Sequence, residues 1–188
     1  MERGDFMSAL VKPSLFGKLV KLRPLNVADA QAMYASLDDE EAMKLTGTQR
    51  NYSFEDVEKH LKRCQDATDR LDFAVLSESK IVGEVVLNNI DFVNKSASFR
   101  IAIWTAKNRN RGFGAEATNL VVQYGFETLK LNRIELEVYS YNERAKHIYS
   151  KAGFIYEGTR RQALNWQGEW VDAHMMAILN SDFFNKDI

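Results

Sequence analysis

One cysteine, two prolines and three histidines in 188 residues leave whole classes of chemistry without their raw material. A lone Cys64 supports neither a disulfide framework nor a thiolate zinc site, and it fits a reducing compartment. His60, His147 and His174 fall in three separate segments with no paired spacing, so no metal site is expected. Pro13 and Pro24 both lie near the start, and no Pro-, Gly- or Ser-rich stretch marks a linker. No apolar run approaches the roughly 18 residues of a membrane span. Residues 1–11 include Arg3, Asp5 and Phe6 in place of a continuous apolar signal region. No membrane partner is expected, and the cytoplasm is the expected location. Net charge is lacking too: 25 Lys and Arg against 26 Asp and Glu leave −1 at pH 7. No whole-protein field then gathers nucleic acid, and any anion must be held by a local site.

What is present is globular material, 45% hydrophobic and 27% charged, at a length that favours one domain. Alternating apolar patterns predict strands near 18–22, 71–76, 81–90, 96–104, 134–138, 154–164 and 170–179, the last two joined across Gln167 and Gly168. Four helices are expected between them. Asn26 caps the first, over 27–37, and Ser53 with Asp56 opens the second, whose stripe is Phe54, Val57, Leu61 and Cys64. The third covers 114–129. Asn142 caps the fourth, with Ala145, Ile148, Tyr149 and Ala152 on one face and Gly153 at its end. The class is α/β, with a mixed, mostly antiparallel sheet of about seven strands. Residues 1–17 read as an N-terminal extension and 18–183 as the domain. The acidic run 38–41 reads as a solvated face that could attract a cation.

The chemistry concentrates in the segment 107–115, a basic, glycine-containing loop that leaves a strand and opens a helix. Free backbone N–H groups and the positive end of a helix dipole suit such a place to an anion. Gly112 and Gly114 let the backbone close on phosphate oxygens, while Lys107, Arg109 and Arg111 can reach outlying charges. A phosphate-bearing cofactor is the natural ligand. Gly112, Gly114 and Ala117 also fit the G-x-G-x-x-A dinucleotide fingerprint, with Glu135 or Glu137 about 20 residues on. Against that stand the residues 105–111 between strand and first glycine, and too few later β-α units.

In its motifs the chain resembles the GNAT superfamily of N-acetyltransferases. The acetyl-coenzyme A loop of that family, Gln/Arg-x-x-Gly-x-Gly/Ala, is matched by Arg109, Gly112 and Gly114. Its second motif, Asn-x-x-Ala-x-x-x-Tyr-x-x-x-Gly-Phe, is complete as Asn142, Ala145, Tyr149, Gly153 and Phe154. The stretch around 112–117, residues 126–133, Glu157 with Gly158, and Gly168 to Asp172 resemble the RimJ/RimL and spermidine acetyltransferase branches. Polyamine enzymes carry acidic residues before the second helix, where this chain has Gln49 and Arg50.

The resemblance implies a single-domain GNAT fold and direct acetyl transfer from acetyl-CoA to a primary amine, with no metal and no acyl-enzyme. The acceptor it implies is a protein N-terminus of the ribosomal-protein type, with spermidine or spermine as the alternative; a CoA-binding module without turnover is the rival of another class. It places the cofactor on Arg109, Asn110, Arg111, Gly112, Phe113, Gly114, Ala115 and Asn142. It also meets the oxyanion with backbone N–H groups of Ile101, Ala102 and Ile103. Tyr149 is the candidate general acid, although its place on the apolar stripe equally describes a core tyrosine. Glu84, a carboxylate within an apolar strand, is the candidate base; Glu116 also fits a family position, but dipole stabilisation in the first helical turn explains it. A homo-oligomer is possible on this reading.

Overall fold

The computed structural model describes residues 10–185. Its strands are β1 (Leu15–Phe16), β2 (Lys21–Pro24), β3 (Leu71–Ser77), β4 (Lys80–Asp91), β5 (Ser96–Ile103), β6 (Arg133–Tyr139), β7 (Ile155–Trp166) and β8 (Glu169–Leu179). Its helices are α1 (Ala30–Ser36), α2 (Glu40–Thr46), α3 (Phe54–Asp66), α4 (Phe113–Glu127), α5 (Glu143–Ala152) and α6 (Asn180–Phe184). Short 3-10 turns at Val27–Asp29 and Ala106–Asn108 lead into α1 and towards α4. One sheet takes all eight strands in the order β1-β2-β3-β4-β5-β6-β8-β7, and only β5 and β6 pair in parallel. This is the expected α/β architecture, with every expected strand and helix represented.

Local chemistry explains the turns. Asp91 accepts from the N–H groups of Val93 and Asn94, both at 2.8 Å, and so closes the β4–β5 connection. Gln167 and Gly168 both adopt positive φ, 51° and 93°, the geometry of a tight hairpin turn. Ser53 and Asp56 form the expected capping box of α3.

Alternation along the strands sorts side chains to two layers. Phe73, Val75, Val85 and Phe99 pack beneath α4 and α5, together with Phe113, Val121 and Phe126. On the other face Ala74 and Trp104 meet Leu25, Ala30, Met33, Val57 and Leu61 from the α1–α3 layer. Cys64 is buried on the α3 stripe, where its spacing placed it.

Three short elements, β1, α2 and α6, exceed the expected seven strands and four helices. β1 pairs Leu15 with Leu22 and Phe16 with Lys21, so residues read as extension join the sheet edge; residues 1–9 lie outside the described residues. The helix expected over 27–37 divides into a 3-10 turn and α1. The acidic run is not a merely solvated face. Asp39 caps α2 by accepting from the Ala42 N–H at 3.0 Å, and Glu40 and Glu41 fill its first turn, where the helix dipole favours them.

β5 and β6 hold together only at Ser96–Arg133, Ala97–Ile134 and Ser98–Glu135. Beyond these pairs β5 runs on to Ile103 and β6 to Tyr139 without touching as a ladder, and the sheet opens as a V.

Glu116 has a structural task that dipole reasoning missed. From the first turn of α4 its carboxylate accepts the N–H groups of Lys18 at 2.9 Å and of Leu19 and Val20 at 2.7 Å, pinning the β1–β2 hairpin. Gly17 completes the contact, since a Cβ there would stand 2.4 Å from the carboxylate oxygen. Glu116→Ala leaves three backbone donors without that acceptor. It is expected to cost about 2 kcal/mol, read as a fall in melting temperature of roughly 4–8 °C.

Candidate active site

The free backbone groups of the V follow from strand geometry. Trp104 donates its N–H to the Val82 carbonyl at 2.8 Å, across the β4–β5 ladder. Donors on a strand alternate sides, so the N–H of Ala102 also faces β4, while those of Ile101 and Ile103 face the gap that β6 has left. The expected trio is thereby corrected to two donors, because the Ala102 amide belongs to the sheet. β4 presses so close here that a Cβ on Gly83 would lie 2.3 Å from the Ala102 carbonyl oxygen.

A cleft of about 730 Å³ fills the V on the α4–α5 side. Ile101, Ala102, Ile103, Arg109, Asn110, Gly112, Phe113, Gly114, Ala115, Asn142 and Tyr149 all reach its wall. Gly112 sits at the N-cap of α4 with φ +82° and no side-chain cap. The first N–H groups of a fifteen-residue helix therefore face the cleft without a capping side chain. An added Cβ at Gly112 would meet Leu19 Cδ1 at 3.0 Å; at Gly114 it would lie an ordinary 3.5 Å from Ile103 Cγ1.

Two basic residues at the loop have their guanidinium groups engaged within the protein: Arg109, on the cleft wall, and Arg111. Arg111 lies off the cleft wall, with its guanidinium 4.7 Å from the centre of the Phe113 ring. Arg109 was expected to reach outlying phosphate charge. Its side chain is instead 4% exposed, and its guanidinium is held by Asp39 at 2.5 Å and Glu41 at 2.6 Å. A free guanidinium costs too much to bury, and these two carboxylates compensate it.

Tyr149 is 7% exposed, packed against the rings of Phe99 and Phe154 while forming part of the cleft wall. Burial pushes its phenol above the usual range, so it keeps its proton at every physiological pH. Asn142 accepts from the Ala145 N–H at 3.1 Å and so caps α5 at the cleft edge.

A second cleft, of about 860 Å³, opens on the α1–α3 side. Glu84 reaches it from β4, with its side chain 15% exposed. One carboxylate oxygen lies 3.7 Å from Arg100; the other is buried without a hydrogen-bond partner. The structure therefore does not bring Tyr149 and Glu84 together: they face different clefts on opposite faces of the sheet. Ala42, Thr46, Arg100 and Ala102 belong to both walls, so the clefts adjoin there.

The sequence reading missed most of this second cleft. Asp56, Lys59, His60 and Arg63 recur along α3 at spacings of three and four, a polar stripe that could have signalled a wall. Trp104, Ser36 and Thr46 carried no such signal. His60 lines this cleft, and burial lowers its pKa. His147 lines the first cleft, whereas His174 bonds Thr159 at 3.1 Å. Burial pushes the Cys64 thiol up to about 11, so a thiolate nucleophile is scarce there. Among the described residues no group of three His, Cys, Asp or Glu side chains could hold a metal ion.

Comparison with known proteins agrees with this geometry. Residues 20–155 match the family described as Acetyltransferase (GNAT) domain. Spermidine N(1)-acetyltransferase of Vibrio cholerae serotype O1 is 27% identical over 166 residues, covering 88% of this chain and 95% of that one. A Bacillus subtilis (strain 168) protein named "Probable N-acetyltransferase YjcK" is 30% identical over 177 residues, covering 89% and 98%. The crystal structure of spermidine N-acetyltransferase from Vibrio cholerae in complex with CoA and spermine has a TM-score of 0.83 at 26% identity, covering 90% of this chain and all of that one.

Gly114 offers a test of the anion loop that separates binding from folding. As the second residue of α4 it has room for a Cβ, and an acidic side chain there suits the helix dipole. Gly114→Asp should therefore fold normally, yet weaken CoA at least about ten-fold by calorimetry, through repulsion of the phosphates. Native affinity in the folded variant would remove the loop from the cofactor site.

Proposed function

The chain belongs to the GNAT acetyltransferase family, and on that footing we propose that it passes the acetyl group of acetyl-CoA directly to a primary amine held beside Glu84. It is an acetyl-CoA-dependent N-acetyltransferase, with acetyl-CoA as co-substrate rather than resident cofactor. One observation carries the proposal. Two clefts on opposite faces of the sheet adjoin at β5, at the stretch where β6 has departed and the Ile101 and Ile103 N–H groups are unclaimed.

In this reading the α4 N-terminus and the backbone of residues 110–115 hold the phosphates, and Asn142 bounds the site. A neutral amine enters from the Glu84 side and attacks the thioester carbonyl, whose oxygen gains charge over the Ile101 and Ile103 amides. Glu84, with one buried and unpartnered oxygen, takes up the proton the amine sheds. Tyr149, protonated in the resting enzyme, gives its proton to the departing sulfur and recovers one from solvent before the next turnover. A buried phenol is a weak acid, but the same apolar surroundings make the thiolate a stronger base, and position does the rest. We place this machinery in the domain 18–183 and the protein in the cytoplasm. No helix among the described residues is long and apolar enough to cross a membrane. Exposed Ile155, Tyr156 and Trp170 beside the free β7 edge favour a homo-oligomer.

For the acceptor, the relatives named for spermidine support a polyamine, and the expected protein N-terminus gives way to it. A second reading rests on charge. Arg50, Lys59, Lys62, Arg63 and Arg100 face the acceptor cleft against Asp56, Asp66 and Glu84, a balance that favours an amine which also bears an anionic group. A panel containing spermidine, spermine and amines carrying carboxylate or phosphate, read by CoA thiol release, decides between them. Release with spermidine alone upholds the first reading, and release with the anionic amines alone upholds the second. Binding without release from any amine leaves only a CoA-binding module.

Tyr149→Phe keeps the ring among Phe99 and Phe154 and deletes only the hydroxyl. With chemistry limiting, kcat should fall about 10² to 10⁴-fold, while CoA affinity and melting temperature stay near native. A variant keeping more than about half of native kcat, far above that range, removes the acid role and leaves a core tyrosine.

A further inference from the structure

α2 lies where the two clefts adjoin: Ala42 and Thr46 line both, Leu45 the cofactor side and Met43 the acceptor side. It is anchored at its two ends to different strands. At its C-terminus the Tyr141 hydroxyl, just past β6, donates to the Lys44 carbonyl, and Gly47, at φ +67°, passes so close to Tyr139 that a Cβ would stand 2.5 Å from its hydroxyl. At its N-terminus Asp39 and Glu41 grip Arg109, which follows β5 and immediately precedes the loop at 110–114. α2 thus straps the open end of the V, packed against β5 and tied through the Arg109 guanidinium to the loop that follows it.

From this arrangement, and resting on the acetyl-transfer reading above, we infer that Arg109 is a positioning residue: it fixes the acceptor-side wall relative to the cofactor loop and does not itself bind phosphate. Its side chain is 96% buried away from solvent and both of its terminal nitrogens are engaged. Turning to a phosphate would strand two carboxylates, one of which, Asp39, is itself 15% exposed and caps α2. The tie instead makes one rigid unit of the residues that set where the amine stands and those that set where the thioester stands. A shift of an ångström between two reactants is felt strongly in rate.

The test compares Arg109→Gln, the pair Asp39→Asn/Glu41→Gln, and Glu41→Gln alone in the full chain. Asparagine at position 39 keeps the side-chain oxygen that caps α2. Glu41, 57% exposed, is replaceable without loss of fold, and melting temperatures verify this for each variant. CoA affinity is read by calorimetry, and acceptor kinetics with whichever amine the panel turns over. Positioning predicts that Arg109→Gln and the pair each lower kcat/KM for the acceptor about ten-fold, with CoA affinity within about three-fold of native. Combining all three changes should add little to Arg109→Gln, because the partners act as one unit. Direct phosphate binding predicts opposite signs for CoA: weaker by about ten-fold in Arg109→Gln and tighter in the pair, whose guanidinium is released. That pattern overturns the inference, as does an unchanged acceptor kcat/KM in the folded pair variant. If no amine is turned over, the transfer reading has failed, and the sign of the CoA change in the pair still decides the role of Arg109.

Discussion

Everything functional here descends from three residue pairs of parallel ladder. β5 and β6 share Ser96–Arg133, Ala97–Ile134 and Ser98–Glu135, and then separate. A strand interior normally has no free donors, because each neighbour claims one side of the ladder. Ending one neighbour early frees alternate N–H groups on the survivor while β4 still holds it rigid from the other side. The result is a pair of oriented dipoles which, in the proposed reading, need no reorganisation to meet developing charge. The crossover between the two parallel strands must pass over one face, and α4 is that crossover. Its N-terminus therefore arrives beside the free donors as a consequence of topology.

The scaffold divides the electrostatic work. The one carboxylate near the start of α4, Glu116, is consumed by the backbone of the β1–β2 hairpin, so the first amides of the helix face the cleft without an internal anion competing for them. Asp39 and Glu41 are likewise consumed by Arg109. Acidic residues that look in the sequence like a patch for cations are, in the fold, structural counter-charges. The second cleft keeps its basic side chains exposed and one carboxylate oxygen of Glu84 buried without a partner, a polarity to which the acidic run adds nothing.

Local rules explain what was legible beforehand. The apolar periods of α3 and α5, the caps at Ser53 and Asn142, the left-handed Gly153 and the turn at Gln167 and Gly168 depend on neighbours a few residues away, and all are present as read. The glycine loop and the Tyr149 segment were legible because their spacing is itself local. What eluded the sequence is long-range. Arg109 meets its carboxylate partners 68 and 70 positions away, and Glu116 meets the hairpin across 96 to 98. The Ala102 amide was misplaced because donor direction depends on register with β4, which no residue of the segment reveals. α2 and α6, at seven and five residues, are too short to carry a helical period, and tertiary contacts hold them.

The placement of the two clefts has an evolutionary consequence. Most of the acceptor wall is drawn from residues 33–66, whereas the cofactor wall is drawn largely from residue 98 onward. The sheet keeps these regions physically apart except at a few shared positions. On the proposed assignment of the clefts, substitutions in the first third of the chain retune which amine is accepted while the acetyl-donor machinery is inherited unchanged. A lineage built this way can diversify its substrates by drift in one segment and never pass through an ancestor that has lost the donor.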